Sequence, residues 1–196
     1  MSTIPSSKTQ SEPSGVERDG YALAMSVFSL LKPGTQYLQR LVFWLSPGSP
    51  TGDIDDLGMI HFARLAVIRR FPDHGQPPDD IRQPLQLFES NYNGSFSQYI
   101  DTFVDAIPCK MRLFWGTSYG FPWSLPLGPF KQYISANQFP IDHYYVRNPD
   151  ASVKMVGSSL RVMRAAEQLR RDAQLLDPVA FAKRFTTFVS AIQADL

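Results

Sequence analysis

Ile60–Arg69 (IHFARLAVIR) and Leu85–Gly94 (LQLFESNYNG) decide the fold. Each is a run of apolar and aromatic residues bounded by proline- and glycine-containing loops, and the second closes on the turn chemistry of Asn91–Gly94, so the two read as strands. Polar groups interrupt both runs: His61 and Arg64 in the first, Glu89 and Asn91 in the second. In a regular strand Phe62, Arg64, Ala66 and Ile68 share one face, and His61, Ala63, Leu65 and Val67 share the other. Likewise Glu89 and Asn91 lie opposite Phe88, Ser90 and Tyr92. An antiparallel pairing sets either Arg64 or His61 beside Glu89 according to register, and Arg64 with Glu89 is the expectation. Such a pair either satisfies the sheet as a partly buried ion pair or anchors a polar or anionic ligand.

Upstream, Tyr21–Leu31 is a short apolar run stopped by Lys32-Pro33-Gly34, and is read as a strand. Thr35 can then cap a helix through Ser46, with Tyr37, Leu38, Leu41, Val42 and Leu45 at helical spacing on one face. Downstream, Ser95 can cap a helix through Ile107 whose Phe96, Tyr99, Ile100, Phe103, Val104 and Ile107 form an apolar stripe. Pro108 ends it, and the alternation in Lys110–Gly116 (KMRLFWG) predicts a fourth strand. The order βαββαβ predicts an α+β, ferredoxin-like core over residues 21–118, an antiparallel sheet with both helices on one face.

Residues 119–196 form an extension: an aromatic, proline-rich loop, a short helix Gly128–Asn137, the extended IDHYYVRNP, a helix from Ser152 and a second amphipathic helix behind Asp177-Pro178. Either this extension or a second copy of the chain must cover the other face of the sheet, because a bare apolar face exceeds what monomers usually expose. Tyr119 and Trp123, in the aromatic loop, are candidates to line an apolar pocket or to form an interface arm.

Nineteen basic against eighteen acidic residues give a net charge of +1, too little for a global field toward nucleic acid or an anionic membrane. No apolar run reaches the roughly 20 residues a membrane span needs. The single Cys109 excludes an intramolecular disulfide, and no Cys/His cluster has zinc-like spacing, so the default is a cytoplasmic protein without a metal site. Residues 1–20, rich in Ser, Pro and charge, read as a disordered tail. Dinucleotide, P-loop, GxSxG and HExxH patterns are absent, which removes the main sequence support for those chemistries.

Three histidines remain. His61 is the candidate base, acid or axial haem ligand, because imidazole titrates near neutrality. His143, flanked by Asp142 and two tyrosines, is its equal as a candidate, whereas His74 sits among Asp73, Asp79 and Asp80 in a loop that reads as solvated. A structural role is the alternative for each.

A strand ending in KPG, then IHFARLAVI, then LFESNYNG leading into an amphipathic helix resembles a group of uncharacterised bacterial ferredoxin-like proteins of the dimeric α/β-barrel type. The likeness covers Tyr21–Gly116, and Asn93 stands where that group more usually has Asp. It implies a homodimer. Because the wider superfamily includes proteins without known chemistry, haem-dependent peroxidases and small monooxygenases, fold alone does not fix the activity. The leading expectation is a cofactor-free dimer that binds a small apolar ligand, with Glu89, Asn91, Tyr119 and Trp123 as ligand contacts. The alternative is a haem-dependent or cofactor-free oxidoreductase using His61 or His143 with Arg64.

Overall fold

The structure is a computed structural model that describes residues 22–45, 57–78, 81–123 and 125–195. The polar tail, the loop 46–56 and the acidic pair Asp79-Asp80 lie outside them. In chain order the elements are β1 (Ala22–Leu30), α1 (Thr35–Leu45), β2 (Ile60–Ile68), β3 (Leu85–Asn93), α2 (Phe96–Ala106), α3 (Pro108–Trp115), α4 (Leu127–Ala136), β4 (Gln138–Phe139), α5 (Val153–Asp172) and α6 (Pro178–Ile192). The strands form one antiparallel sheet in the order β2-β3-β1-β4. The fold is therefore mixed α+β.

Alternation along the strands separates the two faces of the sheet. Met25 and Val27 of β1 and Gln86, Phe88, Ser90 and Tyr92 of β3 are buried, while Ala24, Ser26 and Phe28 of β1 and Leu85, Leu87, Glu89 and Asn91 of β3 are only partly so. Onto this buried side pack α2, through Tyr99, Ile100, Phe103 and Val104, then α3 through Met111 and Trp115, then α4 through Phe130, Tyr133 and Ile134. Aromatic rings dominate the contact: Tyr92 stacks on Tyr99 at 4.0 Å, and Phe88 meets Trp115 edge-on at 5.0 Å. The Tyr99 hydroxyl donates to Ser90 Oγ at 2.6 Å, so two buried polar groups satisfy each other, and burial holds the phenol far above its ordinary pKa.

Helix caps follow the sequence. Ser95 accepts from Gln98 N and Ser152 from Met155 N, while Asp177 accepts from Val179 N and Ala180 N with Pro178 in the first turn. Gly94, at φ 90°, makes the turn between β3 and α2 in a region that a side chain disfavours.

Two expectations change. Lys110–Gly116 is not a strand: residues from Pro108 to Trp115 are helical, because Pro108 suits a first helical turn and Met111 and Trp115, four apart, are both buried. Alternation would also have buried Leu113, which is exposed. The fourth strand is instead the short Gln138–Phe139, paired to Val27 and Ser26. Thr35, expected as a cap, donates its hydroxyl to Lys32 O at 2.7 Å and so closes the Lys-Pro-Gly turn.

The sheet and its core thus run to Phe139. Beyond it, α5 and α6 pack on each other and pin themselves with Arg184–Asp172 and Arg161–Asp195 ion pairs. Only Ile192 among their hydrophobic residues is buried. Asn93 Oδ1 tethers the pair to the sheet by accepting from Val153 N at 3.0 Å.

Candidate functional site

On the face away from the helices, Arg64 of β2 and Glu89 of β3 stand directly opposite each other and form an ion pair. Ser26 of β1 is Glu89's neighbour on the other side, and Asn91 lies between Phe62 and Ala24. The extended segment after β4 passes over this face and brings Ile141 and Tyr144 to it, enclosing a cleft of about 290 Å³ with the ion pair and Asn91 at its floor. Its size suits a single-ring molecule, below the usual span of drug-sized pockets. Burial raises the Tyr144 phenol above its ordinary pKa, so at neutral pH it keeps its proton and can donate a hydrogen bond into the cleft.

The sequence candidates divide sharply. Arg64, Glu89 and Asn91 share the cleft, whereas His61, His143, Tyr119 and Trp123 do not line it. His61 falls at a β-bulge: Ile60 faces Tyr92 and Phe62 faces Asn91, so His61 is the extra residue, outside the alternation that regular parity assigns to it. Both His61 and His143 are exposed, and no hydrogen bond from a described residue fixes either ring. Tyr144 occupies the cleft in place of its neighbour His143, because adjacent residues of an extended segment point apart. His74 donates only its backbone N–H, to Gln76 Oε1, in an exposed loop. In the aromatic loop it is Phe121 that packs inward, against Phe130 and Tyr133, leaving Tyr119 and Trp123 exposed.

The cleft does not fit the expected haem site, because neither His61 nor His143 lines it. Among the described residues there is also no group of three or more His, Cys, Asp or Glu placed to hold a metal ion.

A larger hollow was not anticipated. Between α1 and the outer edge of β2 runs a groove of about 970 Å³, floored by Phe43, Leu65 and Val67 and rimmed by Arg40, Arg69 and Arg70. The signal available in the sequence was the Arg69-Arg70 doublet at the end of β2, which strand reading treats as mere termination. A third polar group lies sealed inside: burial pushes the Tyr133 phenol up, with the hydroxyls of Ser29 and Ser118 beside it drawing it down.

The chain matches no known family model, no curated protein and no solved structure. Among the described residues no helix is long and apolar enough to cross a membrane.

Proposed function

We propose that the protein is a ferredoxin-like binding protein whose open sheet face holds a small ligand of mixed polarity and is closed by a second copy of the chain. Read from its short edge, the sheet runs β4-β1-β3-β2 with every neighbour antiparallel, and helical connections join β1 to β2 and β3 to β4. That order supports the ferredoxin-like reading, in which two extra helices, α3 and α4, lengthen the second crossover.

The observation that carries the binding role is the cleft itself. Its floor offers a guanidinium, a carboxylate and an amide, its wall offers the Tyr144 hydroxyl, and Phe62 and Ile141 supply apolar surface. A few convergent polar groups beside apolar walls are what orient a small molecule. Because Arg64 and Glu89 neutralise each other, the preferred ligand is uncharged with both donor and acceptor, such as a ring amide or phenol. The case for a second copy is the rest of this face. Leu30, Phe62 and Phe139 are about half exposed on it, and Phe28, Leu85 and Leu87 lie between them.

Two measurements test the reading. Light scattering is expected to give about twice the 22.1 kDa of one chain, and Phe62→Glu to return it to one. Benzamide is expected to shift the amide resonances of Asn91 and Tyr144, an effect lost in Tyr144→Ala. A monomer with no such shift would overturn both parts.

A further inference from the structure

The apolar stripe of α1 faces solvent, not the sheet. Tyr37, Leu38, Leu41, Trp44 and Leu45 fall within an arc of about 120° on the helix. All five are exposed, Trp44 most at 73%. The opposite side is anchored by a polar residue: Gln39 is buried, donating to the Gln86 side chain and to Phe114 O. The helix is thereby fixed with its apolar stripe outward.

Among the described residues, the charged side chains that line the groove beside this stripe are all basic. Arg40 lies beside it on α1, and the end of β2 adds Arg69 and Arg70 along the groove. Tyr37 positions Arg69 by accepting a hydrogen bond from its Nη2 at 3.2 Å and by placing its ring 5.1 Å from the guanidinium carbon. Arg40 and Arg70 have no ion-pair partner among the described residues, no carboxylate lines the groove, and α1 itself has no acidic residue. Phe71, half exposed, continues the apolar surface past the arginines.

We infer that this surface docks on an anionic lipid bilayer, α1 lying in the interface with Trp44 and its leucines among the acyl chains and the three arginines on headgroup phosphates. Exposed leucines with Trp and Tyr on one helix face, beside unpaired cations, are the composition of interfacial helices. A two-fold contact of this patch with itself would set the groove's arginines near one another with no carboxylate among its described lining residues, so a second copy is the poorer occupant. The sheet face proposed for dimerisation lies on the far side of the strands, so a dimer leaves α1 outside. The net charge of +1 conceals this local concentration.

The test is co-sedimentation of the full chain with vesicles of phosphatidylglycerol and phosphatidylcholine in a 3:7 ratio, and with phosphatidylcholine alone. Binding is expected to the anionic vesicles only, to weaken with salt, and to be accompanied by a blue shift of tryptophan emission that Trp44→Phe removes. Arg40→Gln with Arg70→Gln is expected to weaken partitioning about 25-fold, some fivefold for each charge. Leu41→Gln is expected to weaken it about tenfold or more through lost apolar burial. Circular dichroism checks that these surface variants stay folded. Absence of binding to anionic vesicles, or equal binding to neutral ones, would overturn the proposal. So would a mass that falls in Leu41→Gln but not in Phe62→Glu, which would give the stripe to a second copy.

Discussion

The two faces of the sheet are built from alternate residues of the same strands yet are opposites. On the helix side Met25, Val27, Phe88 and Tyr92 are almost fully buried, and their polar neighbour Ser90 has a partner. On the open side Phe62, Leu30 and Phe139 stay about half exposed, and the Arg64–Glu89 pair is partly exposed as well. Backbone pairing is common to both. Stability is therefore concentrated where the second layer packs.

Substitutions can sharpen or break this contrast. Trp115→Ala, which empties the centre of the helix layer, is expected to cost about 3–5 kcal/mol in chemical denaturation. Phe62→Ala on the open side is expected to stay within about 0.5 kcal/mol in the isolated chain. Comparable losses at the two sites would erase the distinction. Tyr99→Phe leaves Ser90 Oγ buried without its donor and should cost about 1–3 kcal/mol by the same measurement.

Acid should separate the core from the α5–α6 pair. Asp172 and Asp195 are held below the usual carboxylate range, chiefly by hydrogen bonds from Arg184 and Arg161. A carboxylate whose folded pKa is depressed stabilises the fold above its unfolded pKa, and that contribution disappears as pH falls through the folded value. Hydrogen exchange in α5 and α6 is thus expected to accelerate below about pH 4, before the neutral aromatic core loosens. Simultaneous loss would show that the pair is bound to the core more tightly than its exposure suggests. A small effect is also expected at Arg64→Ala, below about 1 kcal/mol by denaturation, because the Arg64 side chain is 59% exposed and its ion pair is screened.

Much of the chain order was legible. Period-two runs with polar interruptions marked β2 and β3, and the Arg64–Glu89 register followed from placing both on one face of a paired sheet. Ser95, Ser152 and Asp177 marked helix starts because their side chains cap free backbone N–H groups. The reading failed where short runs carry two periods at once. Met111, Leu113 and Trp115 alternate, but Met111 and Trp115 also stand four apart, and only contact with Phe88 and the helices decides between the two. At His61 it failed because a bulge shifts pairing by one residue without any change in composition.

For the cleft, sequence supplied Arg64, Glu89 and Asn91, since strand parity is local. It pointed at His143 where Tyr144 is the contributor, because the path of the segment after β4 depends on packing far along the chain. The same is true of α1. Its stripe of Tyr37, Leu38, Leu41 and Leu45 could be read off the spacing, but which way it faces could not.

By itself the sequence determined where the first three strands and most of the helices begin, which residues of β3 share a face, and that Arg64 and Glu89 could pair, since these follow from local geometry and side-chain chemistry. The tertiary structure alone decided that Gln138–Phe139 completes the sheet, that Tyr144 walls the cleft, and that α1 turns its apolar stripe outward beside three arginines. Each of these depends on contacts between residues distant in the chain, where the burial of Gln39, Trp115 and Phe130 outweighs any local preference.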